Sequence, residues 1–121
     1  MEKILIVDDQ PAICEFLSSL LSFDAMVKTS GSLEDAKLAL SQHKFGLVIS
    51  DLSLKGRSGR EGFELLSYIR SNSPRTKVII MSLRSHEIKE EALKLGAAQF
   101  LEKPLDVSHF LSKVNSVRGV I

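Results

Sequence analysis

Gly46-Leu47-Val48-Ile49-Ser50-Asp51 is an apolar run closed by an acid, and it repeats the pattern of Ile4-Leu5-Ile6-Val7-Asp8-Asp9 near the start of the chain. Short continuous apolar runs of this kind suit strands buried on both faces, as in a parallel sheet. In an open parallel α/β sheet, ligands bind outside the carboxyl ends of the strands, where strand order reverses. Acids at two such ends therefore share one cleft. Two further strand candidates add to it: Ser82 closes Val78-Ile79-Ile80-Met81, and Lys103 follows Phe100-Leu101-Glu102.

Working outward, apolar runs at 3–8, about 25–30, 46–50, 77–82 and 98–102 alternate with longer helical patterns. That alternation is the mark of βα units, and five strands with five helices fit the length. In the first helix Ile13, Phe16, Leu17, Leu20 and Leu21 recur at steps of three and four, with Pro11 placed in the first turn. The last helix repeats this with Val107, Phe110, Leu111, Val114 and Val117. Ser32-Leu33-Glu34-Asp35 resembles a capping box at the start of the second helix, the third carries Phe63, Leu66 and Ile69, and the fourth follows Ser85 with Ile88, Ala92 and Leu95 on one face. All these stripes are expected to face the core.

The chain has 121 residues, 44% of them hydrophobic, which is the size and apolar content of one domain, 1–121, with one substantial core. Sixteen basic and fifteen acidic side chains leave a formal charge of +1, so no global field draws the protein to nucleic acid or an anionic membrane. One cysteine, Cys14, excludes an internal disulfide, and the apolar start is too short for a secretion signal. No apolar stretch approaches the roughly 20 residues that span a bilayer. A cytoplasmic location is the expectation.

The chemistry of the cleft follows from its charges. Two carboxylates about 4 Å apart repel by roughly 4 kcal/mol at an effective dielectric near ~20, so three together must take up protons or hold a cation. All-oxygen ligands favour a hard ion, and a site with positions left for water and a phosphoryl oxygen suits Mg²⁺. With that ion and the Lys103 ammonium supplying about three positive charges, an arriving phosphoryl group meets a neutralised pocket. Asp51 can then act as nucleophile. His43, His86 and His109 show no ligand spacing, and with Cys14 they read as structural or surface residues. The segment Ser53-Leu54-Lys55-Gly56-Arg57-Ser58-Gly59-Arg60-Glu61-Gly62, with three cations, is expected to be a mobile loop that draws phosphate by charge; it is not a Walker loop.

Taken together, Ile6-Val7-Asp8-Asp9, then Asp51, then Met81-Ser82, then Lys103-Pro104 resemble the receiver domain of bacterial two-component response regulators, over essentially the whole chain. The resemblance implies a flavodoxin-like, doubly wound (βα)5 fold with a five-stranded parallel sheet in the order 2-1-3-4-5. It implies Asp51 as phosphoacceptor, with Asp9, Asp51 and the backbone carbonyl of Ser53 as magnesium ligands, Asp8 acting through water, and Lys103 pairing with phosphoryl oxygens. Ser82 and Phe100 stand where the family has a switch: the hydroxyl turns toward the new phosphoryl group, and the ring fills the space it leaves. The face of helix 4, strand 5 and helix 5 then changes its affinity for a target.

The implied partners are a sensor histidine kinase or histidine phosphotransfer protein upstream and a target protein or fused output domain downstream, with a homodimer open. Direct nucleic-acid binding by this domain and membrane contact are not expected, and it is no enzyme beyond catalysing its own phosphorylation and dephosphorylation. The chain departs from the family pattern in three places. Gly62-Phe63-Glu64-Leu65-Leu66 comes about three residues late; Leu83, beside Arg84, follows Ser82 where a small residue is usual and is expected to crowd the pocket; Phe100 lacks the hydroxyl of the commoner tyrosine. The alternative reading is a non-phosphorylated receiver-like protein-interaction module. An aspartate-nucleophile phosphatase fits poorly, because the first strand is followed by an adjacent acid pair and no cap domain has room.

Overall fold

The computed structural model describes residues 1–56, 58–83 and 85–119. Arg57, Arg84, Val120 and Ile121 lie outside them, and with them the part of the loop charge expected of Arg57. Among the described residues ten elements alternate strictly: β1 Lys3–Val7, α1 Pro11–Leu21, β2 Met26–Ser30, α2 Leu33–Gln42, β3 Leu47–Asp51, α3 Glu61–Asn72, β4 Lys77–Leu83, α4 His86–Lys94, β5 Gln99–Lys103 and α5 Val107–Arg118. The strands form one parallel sheet in the order β2-β1-β3-β4-β5, the flavodoxin-like doubly wound arrangement expected of the sequence.

Helix ends are set by local chemistry. Pro11 opens α1, where a missing N–H costs nothing. Ser32, Ser85 and Asp106 accept the backbone N–H of Asp35, Ile88 and His109, so α2, α4 and α5 each begin on a side-chain cap. Gly119, at φ 76°, ends α5 in the left-handed conformation that glycine adopts most easily.

Two cores lie on opposite faces of the sheet. On one, Leu5, Val7, Val48, Val78, Ile80 and Phe100 meet α2, α3 and the Ala92 face of α4; on the other, Ile4, Ile6, Ile49, Ile79, Met81 and Leu101 meet α1 and α5. Alternating strand residues thus feed different cores, which is why the strand sequences show continuous apolar runs. The expected stripes are narrower in the structure. Leu17 and Leu21 of α1 and Phe110, Val114 and Val117 of α5 are buried, whereas Phe16 is 45% and Val107 41% exposed, and Leu95 falls just beyond α4 in the open. A stripe read by three- and four-residue steps is wider than the seam one helix presses on a sheet, so its margins reach solvent. No described helix is long and apolar enough to cross a membrane.

Candidate functional site

Parallel pairing of β1 with β3 aligns Val7 with Ser50 and so brings the residues after each strand to one edge. Because β1 lies between β2 and β3, its connection and that of β3 leave on opposite faces, and the crevice between them is the strand-order switch point. Asp8 and Asp9 follow β1, and Asp51 is the last residue of β3. The ladder runs on past both ends, with Asp8 N–H donating to Ser30 O at 3.1 Å and Leu52 N–H to Met81 O at 2.9 Å. Both acids are thereby fixed at the backbone.

One carboxylate oxygen from each of Asp8, Asp9 and Asp51 falls within 4.8 Å of the others. Asp8 is 1% exposed and Asp51 8%. Lys103, the last residue of β5, reaches across with Nζ 3.1 Å from Asp51 Oδ2 and 3.5 Å from Asp8 Oδ2. Asp8 Oδ1 accepts the Gln10 N–H at 2.9 Å, which turns the chain into α1, while its Oδ2 is buried and has no hydrogen-bond partner among the described residues despite the nearby ammonium. Burial pushes the Asp51 carboxyl above its ordinary range; the Lys103 ammonium works against that, and the Asp8 charge adds to it.

A hard divalent cation fits this donor set. Three oxygen ligands converge, the cluster found among the described residues holds no sulfur or imidazole, and the buried Asp8 Oδ2, beside the Lys103 ammonium, still accepts no hydrogen bond there. Ser53 lies two residues beyond Asp51, exposed at the start of the connecting loop.

Ser82 sits at the end of β4 opposite Glu102, one position before the Leu83–Lys103 pair, and α4 is capped by Ser85. Phe100 is buried, 5% exposed, in the core shared with α3 and α4. Leu83, next to Ser82 at the end of β4, is 72% exposed. Cys14 is buried and donates its Sγ–H to Asp8 O at 3.3 Å, while His86 pairs with Glu90 on exposed α4.

In the loop between β3 and α3, Glu61 gathers several donors. Glu61, the first residue of α3 and itself buried, accepts from Leu54 N at 3.1 Å, Ser58 N at 3.2 Å, Ser58 Oγ at 3.3 Å and Gly59 N at 3.3 Å. Burial pushes the Glu61 carboxyl up, but these backbone donors together outweigh it and hold it below the ordinary glutamate range. Arg60 pairs with Glu91 of α4 and lies 4.9 Å over the Phe63 ring, tying the loop to α4. Lys55 extends back over the acids, Nζ 4.0 Å from Asp9 Oδ2. The sequence reading had Lys55 and Arg60 only as loop cations that draw phosphate by charge; the pairing of Arg60 with Glu91, that of Lys55 with Asp9 and the role of Glu61 in the loop were not foreseen.

The sequence model of the response regulator receiver domain family matches residues 4–115. This chain belongs to that family. As a receiver domain it is a unit of phosphorylation-switched signalling. Its curated relatives include the response regulator protein PilR of Pseudomonas aeruginosa, 34% identical over 108 residues covering 88% of this chain and 24% of PilR. Another is the transcriptional regulatory protein FixJ of Azorhizobium caulinodans, 31% identical over 94% of this chain and 54% of FixJ. The receiver domain therefore spans between about a quarter and about half the length of such relatives. Among solved structures, the non-phosphorylated HemR receiver domain of Leptospira biflexa superposes with a TM-score of 0.89 at 25% identity, covering 100% of this chain and 97% of the other. The chemotaxis protein CheY4 of Vibrio cholerae gives 0.84 at 26% identity over 97% of this receiver domain and 98% of CheY4.

Proposed function

We propose that residues 1–121 form one receiver domain in which Asp51 accepts a phosphoryl group from the phosphohistidine of a sensor histidine kinase or a histidine phosphotransfer protein. The observation that carries this reading is the placement of Lys103 Nζ between Asp51 Oδ2 and Asp8 Oδ2 at the end of the sheet. An Asp51 carboxylate oxygen attacks phosphorus in line, the bond from phosphorus to the histidine nitrogen breaks, and an aspartyl phosphate results. Lys103 supplies a fixed positive charge toward the phosphoryl oxygens, with no reorganisation needed when charge moves. Asp8, Asp9, Asp51 and the Ser53 carbonyl would hold Mg²⁺. When bound, that ion neutralises the carboxylates and the incoming phosphoryl oxygens.

The output in this reading is a two-state surface. Ser82 turns its hydroxyl toward the new acceptor at Asp51, and the Phe100 ring, buried in the structure, occupies the space beneath α4. The face of α4, β5 and α5 then presents a changed surface to a target protein or a fused output domain. The domain catalyses its own modification and nothing else. Incubation with acetyl phosphate, with and without Mg²⁺ and beside Asp51→Asn, tests the reading by intact mass: one magnesium-dependent phosphoryl adduct, absent from the variant, supports it.

A further inference from the structure

We infer that Lys55 is a tethered cation of the acidic site, which competes with a divalent metal ion for the Asp9 carboxylate. The inference rests on the reading of Asp8, Asp9 and Asp51 as a metal site and concerns what sets its affinity. Each acid of the cluster has a lysine: Lys103 stands against Asp8 and Asp51, and Lys55 against Asp9 at 4.0 Å. Lys103 comes from a strand end. Lys55 comes from the loop whose length departs from the family spacing.

The loop is built to hold that residue in place. Lys55 is the one non-glycine residue with positive φ among the described residues, at 56°, a conformation that costs an L-residue roughly 1–2 kcal/mol. It is pinned on both sides by Glu61. On one side the Leu54 N–H donates to Glu61 Oε1. On the other, the Ser58 and Gly59 N–H groups donate to Glu61 Oε2. A buried carboxylate thus fixes the backbone on which the lysine is mounted. The side chain itself is 79% exposed, free to leave Asp9 without disturbing any packing.

Two cations cannot share one carboxylate edge without repulsion, so Asp9 passes from Lys55 to an incoming divalent ion by exchange. The lysine lowers the cost of clustered negative charge before the ion arrives and raises the divalent concentration at which the site fills. Because the lysine end of the pair is solvent-exposed, the competition is modest and is screened by salt.

The test is direct binding of Mn²⁺ followed by electron paramagnetic resonance and of Mg²⁺ by calorimetry, on the full chain. The proteins are wild type, Lys55→Gln, Lys55→Arg and, as a charge control on the far end of α4, Lys94→Gln. Lys55→Gln is expected to bind about twofold to fivefold more tightly, with Lys55→Arg and Lys94→Gln like wild type. The gain should vanish at about 1 M salt, where the screening length falls to about 3 Å. Binding by Lys55→Gln equal to or weaker than wild type overturns the competition while leaving the metal site intact. Absence of binding in all four proteins overturns the metal site and the competition together.

Discussion

The Glu61 carboxylate reaches back to the Leu54 backbone N–H at 3.1 Å and closes the β3–α3 loop on itself beside Asp51. Replacing one partner leaves buried donors unsatisfied, at roughly 1–3 kcal/mol. Glu61→Gln should therefore unfold at lower urea concentration than wild type near neutral pH. The folded-state pKa of Glu61 is depressed, so its contribution is present above the unfolded-state value of about 4.3 and is lost as pH falls through the lower folded value. The gap between wild type and Glu61→Gln should narrow as pH drops below about 4. A gap that widens in acid contradicts the assignment of Glu61 as a hydrogen-bonded anion.

Gly62 marks a second close approach. A Cβ there would lie 2.6 Å from Asp51 O and 2.8 Å from Leu52 Cα, both backbone atoms that cannot rotate away. Gly62→Ala should cost about 1–3 kcal/mol in urea unfolding, because β3 must shift to admit the methyl group. Gly31→Ala, where the nearest atom is 4.0 Å away, should fall within about 0.5 kcal/mol of wild type. Equal costs at the two positions would show that the approach at Gly62 is not a constraint.

Phe100 and Val107 separate core from margin. Phe100→Ala should lose about 3–5 kcal/mol, since the ring fills the core beneath α3 and α4. Val107→Ala, on the exposed start of α5, should stay within about 0.5 kcal/mol. Thermal or urea unfolding of the two variants checks both.

Much of this was legible in the sequence, for reasons tied to particular residues. Strand runs such as Ile4-Leu5-Ile6-Val7 announce themselves because both faces are covered, and Asp8, Asp9, Asp51 and Lys103 stand at the points where those runs stop. Their meeting then follows from strand order alone. Phe16 and Val107 were read as core because periodicity gives a helix's apolar side without its width. Glu61 acts through a loop fold that brings residues two to seven apart together, Arg60 through Glu91 of α4, 31 residues away, and Lys55 through Asp9 beyond β1. No periodicity encodes such contacts. Leu83, expected to crowd the pocket as the neighbour of Ser82, stands exposed at the end of β4.

Lys103 is expected to separate chemistry from output. Lys103→Ala should still take label at Asp51 from a small phosphodonor, while phosphorylation fails to move the amide resonances of α4 and β5 that shift in wild type. The basis is the 3.1 Å contact, which links the end of β5 to the acceptor at the end of β3. Shifts of wild-type size in the labelled variant would remove Lys103 from the coupling.

The central claim is that Asp51 is the group that becomes phosphorylated. Intact mass after incubation with acetyl phosphate and Mg²⁺, followed by the same measurement without Mg²⁺ and on Asp51→Asn, tests it most directly. The account predicts a single phosphoryl adduct that requires Mg²⁺ and is lost in Asp51→Asn. An adduct that persists in Asp51→Asn, or no adduct on the wild-type chain under any of these conditions, contradicts it.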